Sequence, residues 1–343
     1  MSDKTHDIMA QWLKDQAITE VECLVSDIAG IPRGKILPVH KFSQAAAGQG
    51  LRLPEYVFGQ SVTGAFLDSA VLNEIGKDVI LRPDPATCRL VPWYTEPTAQ
   101  IIHDAFDHDG SIVHFSPRAV LKRVLALFDS AGLRPIVAPE LEFFLVQQSA
   151  DANSPLATPS GRSGRAEKAR QAYGIDAVNE FDPLFEDIYD HCEVQKIDID
   201  TLSHEAGAAQ MEINFNHGEA LELADQTFLF KRTVRQTSLD HNVHATFMAK
   251  PMQEQPGSAM HLHVSVVDIE SGRNLFVNQD SSESDQFYHA LAGMQRYLVA
   301  AMPLMAPYVN SYRRQSNSED SPTNLAWGMD NRTVGLRVPM GDA

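Results

Sequence analysis

Three short stretches of the chain carry alternating apolar and polar residues. They cover residues 138–146 (A-P-E-L-E-F-F-L-V), 210–216 (Q-M-E-I-N-F-N) and 260–266 (M-H-L-H-V-S-V). Successive side chains of a β-strand point to opposite faces, so each stretch predicts a strand with an apolar back and a polar front. If the three strands share one sheet, their fronts gather carboxylates and imidazoles in one space.

Hydrophobic periodicity and turn residues place the remaining elements. The region before Asp107 predicts a small α+β unit that begins with a helix near Thr5. Pro117 after Ser116 marks the start of a helix that ends near Gly132. We expect further helices at 182–194, 219–242 and 284–300, a strand at 245–251, and a mobile surface loop at 151–172.

Composition narrows the class of protein. The chain has 343 residues, of which 43% are hydrophobic, and a net charge of −17. This length predicts two domains, or one large and one small. The acidity and the lack of a basic stripe argue against nucleic-acid binding. Three widely spaced cysteines, no apolar leader and no apolar run of about 20 residues predict a cytoplasmic protein without membrane contact.

Acidic residues and histidines on the polar fronts are candidate metal ligands. Taken alone, a strand acid faces water about as often as it binds a cation, and a single strand histidine is usually structural. Several on matching faces favour a shared site, because crowded carboxylates are costly to desolvate unless divalent cations neutralise them. Carboxylates with one or two imidazoles favour Mg²⁺ or Mn²⁺ over zinc. The candidates are Glu140, Glu142, Glu205, Glu212, His261 and His263.

A second group of candidate residues lies in 309–316 (V-N-S-Y-R-R-Q-S) and 330–339 (D-N-R-T-V-G-L-R-V-P). Guanidinium groups bind carboxylates and phosphates bidentately. For any single arginine, an ordinary surface ion pair is an equally good interpretation. The candidates are Arg313, Arg314, Arg332 and Arg337.

These segments together resemble the glutamine synthetase superfamily. P-E-L-E-F-F-L resembles its E-x-E-F-F strand, and H-E-A-G-A-A-Q-M-E-I-N-F its second metal segment. P-G-S-A-M-H-L-H-V-S resembles its nucleotide and glutamate segment, and V-N-S-Y-R-R and N-R-T-V-G-L-R-V-P its two arginine segments. Five ordered motifs cover essentially the whole chain. In detail they are most similar to the branch that ligates glutamate to amines, the γ-glutamylpolyamine synthetases.

The resemblance implies an α+β fold in two domains. It implies an N-terminal β-grasp domain at 1–107, followed at 108–343 by a glutamine synthetase catalytic domain with a curved antiparallel sheet flanked by helices. It also implies a homo-dodecamer of two six-membered rings, two to three Mg²⁺ or Mn²⁺ ions per site, and ATP as co-substrate.

The resemblance assigns roles to individual residues. It implies one metal on Glu142, Glu205 and Glu212, and a second on Glu140, His261 and a further glutamate. It implies ATP contacts from His263, Ser265 and Arg337, and glutamate contacts from Gly257, His261 and Arg314. Arg332 would contact the transferred phosphate, and Asp320 would accept the proton of the amine.

Four departures from the family pattern affect the expected substrate and activity. The family's ammonium-binding aspartate falls near Gly59, in a stretch (V-F-G-Q-S-V-T-G) that has no carboxylate. This favours an amine with an organic substituent over ammonium. Pro256 replaces a glutamate-binding asparagine, and Asp320 replaces the flap glutamate. The family also continues past residue 343 with a further ligand of the second metal and another substrate arginine. Either the sequence is a fragment or its numbering omits the rest, and we expect a protein ending here to have an incomplete second site and little activity.

The predicted reaction joins the γ-carboxylate of glutamate to an amine through γ-glutamyl phosphate, with ATP as phosphate donor. Three alternatives remain open: a glutamine synthetase that uses ammonia, a His-x-His metalloenzyme that binds zinc or iron, and a non-catalytic structural homologue. The acceptor amine also stays open among ammonia, aliphatic polyamines and aromatic monoamines.

Overall fold

The computed structural model describes residues 3–48, 50–66, 76–149, 151, 153–317 and 321–339. Internal contacts divide the chain into two compact units. The first contains Met1–Leu127, Asp187–Asp198 and Ala224–Thr233, and the second contains Phe128–Glu186, Ile199–Leu223 and Val234–Ala343. The domain boundary expected at residue 107 stays a prediction.

The first unit is built on a mixed sheet. Its helices and strands are α1 (Asp3–Asp15), β1 (Glu20–Ser26), β2 (Pro32–Pro38), α2 (Val39–Ala47), β3 (Leu51–Pro54), β4 (Asp78–Pro83), β5 (Arg89–Leu90) and β6 (Thr98–Phe106). Short 3-10 helices cover Glu55–Gly59 and Pro85–Thr87. The strand order is β2-β1-β6-β4-β3, and β1 pairs in parallel with β6 and antiparallel with β2.

Two apolar clusters hold this unit together. Val21 and Ile101 pack with Phe42 in one cluster. Leu81 packs with Phe58 in the other. All five side chains are almost fully buried. Each Å² of apolar surface removed from water contributes about 25 cal/mol, so apolar burial is the main stabilising contribution to this unit.

The chain after β6 supplies the remaining elements, most of them in the second unit. They are α3 (Pro117–Ser130), β7 (Leu133–Gln147), α4 (Ile175–Asn179), α5 (Asp182–Gln195), β8 (Ile199–His204), β9 (Gln210–Phe215), β10 (Gly218–Glu219), α6 (Ala220–Asp240), β11 (Val243–Thr246), β12 (Met260–Asp268), α7 (Asp285–Met305), α8 (Val309–Asn317), β13 (Trp327–Met329) and β14 (Leu336–Val338). Each of the helices expected near 117, 182, 219 and 284 forms within a few residues of its predicted start.

The long strand β7 organises the sheet of the second unit. It pairs antiparallel with β9, β10, β11 and β12 along its 15 residues. The three alternating stretches of the sequence are therefore strands of one sheet, with β7 between the other two. On the apolar back, Leu141, Phe143, Met211 and Ile213 are at most 2% exposed.

One expectation about this sheet is wrong. The strand expected at 245–251 ends at Thr246, and turns follow it. The back of β12 is not buried, because Met260, Leu262 and Val264 are 57%, 49% and 45% exposed. Alternation fixes which face a side chain occupies, but not whether another layer covers that face. Among the described residues, no helix combines the length and apolarity needed to cross a membrane.

Candidate active site

The strand register places the predicted ligands side by side on the front of the sheet. Glu142 of β7 lies directly opposite Glu212 of β9. On the other edge of β7, Glu140 lies opposite His261 of β12. Directly opposed residues have Cβ atoms about 5 Å apart, so these four side chains meet without any loop having to deliver them.

Glu205 joins them through a tight turn between β8 and β9. The amide of Gly207 donates to Gln210 Oε1 at 2.8 Å, and the amide of Glu205 donates to the carbonyl of Gln210 at 2.8 Å. A Cβ at Gly207 would lie 2.6 Å from the ring of Phe144, so only glycine fits there. The turn brings Glu205 back beside Glu212.

Ligand atoms of these residues form two groups, each within 4.8 Å. One group contains Glu142, Glu205 and Glu212, and the other contains Glu140, Glu212 and His261. The first matches the set that the family resemblance assigns to one metal. The second contains Glu140 and His261, which the resemblance assigns to the other metal, together with Glu212, so a single carboxylate belongs to both groups.

The acidic side chains of the cluster repel one another, and a bound cation would relieve that repulsion. Burial, together with Glu140, Glu205 and Glu142, raises the pKa of Glu212 to about 7. Burial also raises the pKa of Glu142. Opposite Glu140, the side-chain oxygen of Asn214 is buried and has no hydrogen-bond partner among the described residues. Crowded acids and an orphaned oxygen are the donor set that a hard divalent cation prefers.

The two histidines of β12 both bind Glu140. His261 Nδ1 lies 3.3 Å from Glu140 Oε2, and His263 Nε2 lies 2.8 Å from Oε1. Hydrogen bonds from His261 and His263 hold the pKa of Glu140 well below its usual range. The hydrogen bond to Glu140 raises the pKa of His261 against the opposing effect of burial. The ATP contacts expected of His263 and Ser265 stay predictions, and Ser265 lies on the same face of β12.

Gly257 and Arg314, the two other expected glutamate contacts, touch each other. A Cβ at Gly257 would lie 2.5 Å from Cγ of Arg314 and 2.7 Å from the carbonyl of Ala249. The positive charge of Arg314 is close enough to lower the pKa of Glu142, against the larger effect of burial. The structure therefore brings this arginine to the acidic cluster and packs its alkyl chain on the glycine.

The remaining predicted residues are not brought to the cluster by a described contact. Arg337 pairs with Asp330 at 2.5 Å, and both side chains are largely exposed. Among the described residues, neither Arg332 nor Arg337 makes an ion pair with the acidic cluster. Arg313 lies on α8 beside Arg314. Asp320, the expected proton acceptor, lies outside the described residues.

Sequence reasoning missed three polar residues that support the site. Gln210 Nε2 donates to Glu142 Oε2 at 3.1 Å and to the carbonyl of Gly257 at 3.0 Å. His204 Nε2 lies 3.0 Å from Glu167 Oε2. Burial alone would lower the pKa of His204, but Glu167 raises it above its ordinary value. The alternation placed Gln210 on the polar front, whereas no local pattern marked Glu167.

Comparison with known proteins identifies the family. The family model described as "Glutamine synthetase, catalytic domain" matches residues 114–343. The chain belongs to the glutamine synthetase family. The resemblance drawn from the sequence motifs is therefore confirmed, and the antiparallel sheet of the second unit is part of the family's catalytic domain.

Relatives within the glutamine synthetase family include enzymes named for organic amines. The chain is 36% identical to γ-glutamylputrescine synthetase PuuA of Escherichia coli over 94% of its own length and 68% of that protein. It is 30% identical to glutamate–isopropylamine ligase of a Pseudomonas species, over 91% of the chain and 68% of the relative. It is 32% identical to glutamine synthetase of Halobacterium salinarum, over 95% and 69%.

Solved structures share the same fold. The GmaS/ADP complex superposes with a TM-score of 0.80 at 24% identity, and the match covers 96% of this chain and 73% of that one. The apo form of GmaS gives a TM-score of 0.79 at the same identity.

Proposed function

We propose that this chain is an ATP-dependent ligase that joins the γ-carboxylate of glutamate to an amine carrying an organic substituent. The observation that carries the proposal is the pair of ligand groups around Glu212, built from three strands of one sheet and the turn between β8 and β9. The names of two relatives, a putrescine ligase and an isopropylamine ligase, support the class of amine.

Two sets of side chains would hold divalent cations, which we propose are Mg²⁺ or Mn²⁺. Glu142, Glu205 and Glu212 form one set, and Glu140, Glu212 and His261 form the other. When bound, such cations supply neutralisation and alignment of the phosphate charges of ATP.

The first step transfers the γ-phosphoryl group of ATP to the side-chain carboxylate of glutamate. Both reactants are anionic, so the protein's contribution is positioning and charge compensation. We propose that Arg314, with its alkyl chain fixed against Gly257, binds a carboxylate of glutamate. His263, Ser265 and Arg337 are the proposed contacts of ATP, and Arg332 that of the transferred phosphate.

The second step is attack of the neutral amine on γ-glutamyl phosphate. The carbonyl carbon gains the C–N bond and loses phosphate, and the amine nitrogen loses one proton. Asp320 is the proposed acceptor of that proton. The stretch around Gly59 lacks the carboxylate that would hold ammonium, which supports an organic amine as acceptor.

We also propose that the domain structure and the oligomeric state of this chain are those of its family. The sheet order of the first unit, with its parallel β1–β6 pair and the helix α2, supports a β-grasp domain at 1–107. We extend the proposal to a catalytic domain at 108–343 and to a homo-dodecamer of two hexameric rings.

A phosphate-release assay tests the proposed function. The purified full-length gene product is given ATP, glutamate and Mg²⁺ or Mn²⁺ with putrescine, isopropylamine, an aromatic monoamine or ammonium. We expect release that requires all components and is faster with an aliphatic amine than with ammonium. Faster turnover with ammonium would instead establish a glutamine synthetase. Release without ATP-dependent amide formation, or none with any acceptor, would overturn the proposal.

A further inference from the structure

Glu167 is a buried carboxylate contributed by a long connection that the sequence presents as a plain surface loop. Its side chain is 10% exposed. The connection is held by contacts at and just before this residue, because Thr158 Oγ1 donates to the carbonyl of Glu167 at 2.8 Å and Ser160 pairs with Ala166 in an isolated β-bridge. A loop that buries a carboxylate must provide donors for it, since an unpaired buried charge is costly.

The donors come from both ends of the turn that carries Glu205. Glu167 Oε2 accepts from His204 Nε2 at 3.0 Å and from the amide of Ala209 at 2.8 Å. These two residues flank the turn, and each is at most 1% exposed. One carboxylate oxygen of Glu167 therefore connects His204, at the start of the turn, with Ala209, at its end.

His204 extends this connection to Glu205 itself. Its second ring nitrogen, Nδ1, lies 2.7 Å from the carbonyl oxygen of Glu205. The imidazole side chain is fully buried and bridges the carboxylate of Glu167 and the backbone of Glu205. Neither Glu167 nor His204 belongs to the two ligand groups found among the described residues.

The turn needs support from outside, because its own backbone is strained. Ala209 has φ of +56°, a left-handed conformation that costs a non-glycine residue about 1 kcal/mol or more. The amide of Ala209 points away from the turn's internal hydrogen bonds and donates to Glu167. Ala208 donates to Gln255 Oε1 at 3.1 Å. The conformation that presents Glu205 thus depends on acceptors from distant segments.

We propose that Glu167 is a positioning residue that, through His204 and the amide of Ala209, fixes the Glu205 turn in the shape required for cation binding. This inference depends on the proposed function for its metal, but its structural part does not. Partners of metal ligands orient them, and their loss typically weakens metal binding 10- to 100-fold.

The test compares Glu167→Gln with Glu180→Gln. The first substitution keeps the size of the side chain and removes its charge. Glu180 is a matched control, since its carboxylate also accepts a backbone amide of the same connection, from Ser163 at 3.0 Å. Two measurements are made: amide hydrogen exchange of the segment 204–212 without metal, and Mn²⁺ binding by calorimetry.

For Glu167→Gln, we expect exchange in 204–212 to become at least about tenfold faster and Mn²⁺ affinity to fall 10- to 100-fold. Glu180→Gln should match the wild type in both. His204→Asn added to Glu167→Gln should cause little further loss, because residues that act as one unit are not additive.

The outcomes separate this inference from the proposed function. If the wild type binds Mn²⁺ and Glu167→Gln binds it equally well, the role of Glu167 is overturned and the metal centre stands. If the wild type binds no Mn²⁺, the metal centre and the purpose given to Glu167 both fail. Faster exchange spread over the whole second unit would show a general structural role and would also overturn the inference.

Discussion

In the first unit, Asp84, Asp104 and Asp225 surround the guanidinium of Arg118 at 2.6 to 2.8 Å. In the second unit, one carboxylate oxygen from each of Glu142, Glu205 and Glu212 lies within 4.8 Å of the other two. Both groups are largely withdrawn from water, yet only the first carries its counter-charge at its centre. Acids that surround an arginine depend on that arginine for their counter-charge, whereas acids that face one another with no cation between them mark a site built for an added ligand.

The largest expected effect comes from breaking the paired cluster. Arg118→Met leaves three carboxylates of the first unit without their shared partner, and we expect a loss of about 3–5 kcal/mol in the free energy of unfolding. Urea denaturation measures it. The matched control is Arg134→Met, whose pair with Glu219 is exposed, with an expected loss below about 1 kcal/mol. Similar losses for both variants would contradict the distinction between the units.

Glu212→Gln tests the unpaired cluster in the opposite direction. Removing one of several repelling acids should leave the metal-free protein as stable as the wild type or more stable at pH 8. Mn²⁺ affinity should fall by more than about 100-fold, because Glu212 is itself a proposed ligand. Changing a residue that only hydrogen-bonds to a metal ligand already costs up to about 100-fold. Calorimetry and urea denaturation measure the two quantities.

A control from the first unit makes this second test sharper. Glu22 is buried and pairs with Arg232, so Glu22→Gln should lower stability and leave Mn²⁺ affinity unchanged. If Glu212→Gln destabilised the metal-free protein as much as Glu22→Gln does, the acids of the second unit would be ordinary structural groups.

The contrast between the units also shows what the sequence reveals and what it leaves out. Period-two alternation identified the fronts of β7, β9 and β12, because strand geometry forces residues two apart onto one face. Ligands on those strands were therefore predictable in type and side. Motif spacing added Glu205, which lies on a turn.

Long-range pairing was not predictable in the same way. Arg118 reaches Asp225, which is 107 positions away, and nothing local in either segment marks the pair. Glu167 is hidden for the same reason, since its partners lie about 40 residues further along the chain. The exposure of the back of β12 was not predictable for a different reason, because the covering of a face depends on neighbouring layers and not on the strand's own pattern.

The dependence of stability on pH gives a smaller but specific signal. The pKa of Glu212 is raised to about 7 from 4.5, so the folded state binds a proton that the unfolded state has already released between these values. Stability of the metal-free protein should therefore fall as pH rises from 5 to 7.5, by about 2 kcal/mol from this group.

Two neighbours contribute in the same direction, since the pKa values of Glu142 and His261 are also raised. Urea denaturation at several pH values in EDTA measures the slope, and Glu212→Gln should flatten it. A slope that is identical in the two proteins would show that Glu212 is not the crowded group.

An effect of similar size is expected for the arginine that approaches the acidic cluster. In Gly257→Ala, the new methyl group would lie 2.5 Å from Cγ of Arg314, and the backbone carbonyl of Ala249 blocks the other side. The guanidinium must therefore shift. Loss of one charge-assisted hydrogen bond is worth about 1.5–3 kcal/mol, so the KM for glutamate should rise at least about tenfold.

The same substitution at Gly293 on α7 provides the matched control, because its methyl group would meet nothing within 4 Å. Initial rates at varied glutamate and varied ATP separate the two substrates. Since Arg314 is the proposed glutamate contact, the KM for ATP should stay unchanged in Gly257→Ala. An equal rise in the KM for glutamate and the KM for ATP would mean that the substitution disturbs the whole acidic cluster. Arg314 would then be a structural arginine, like the paired arginines of the first unit, and not a substrate contact.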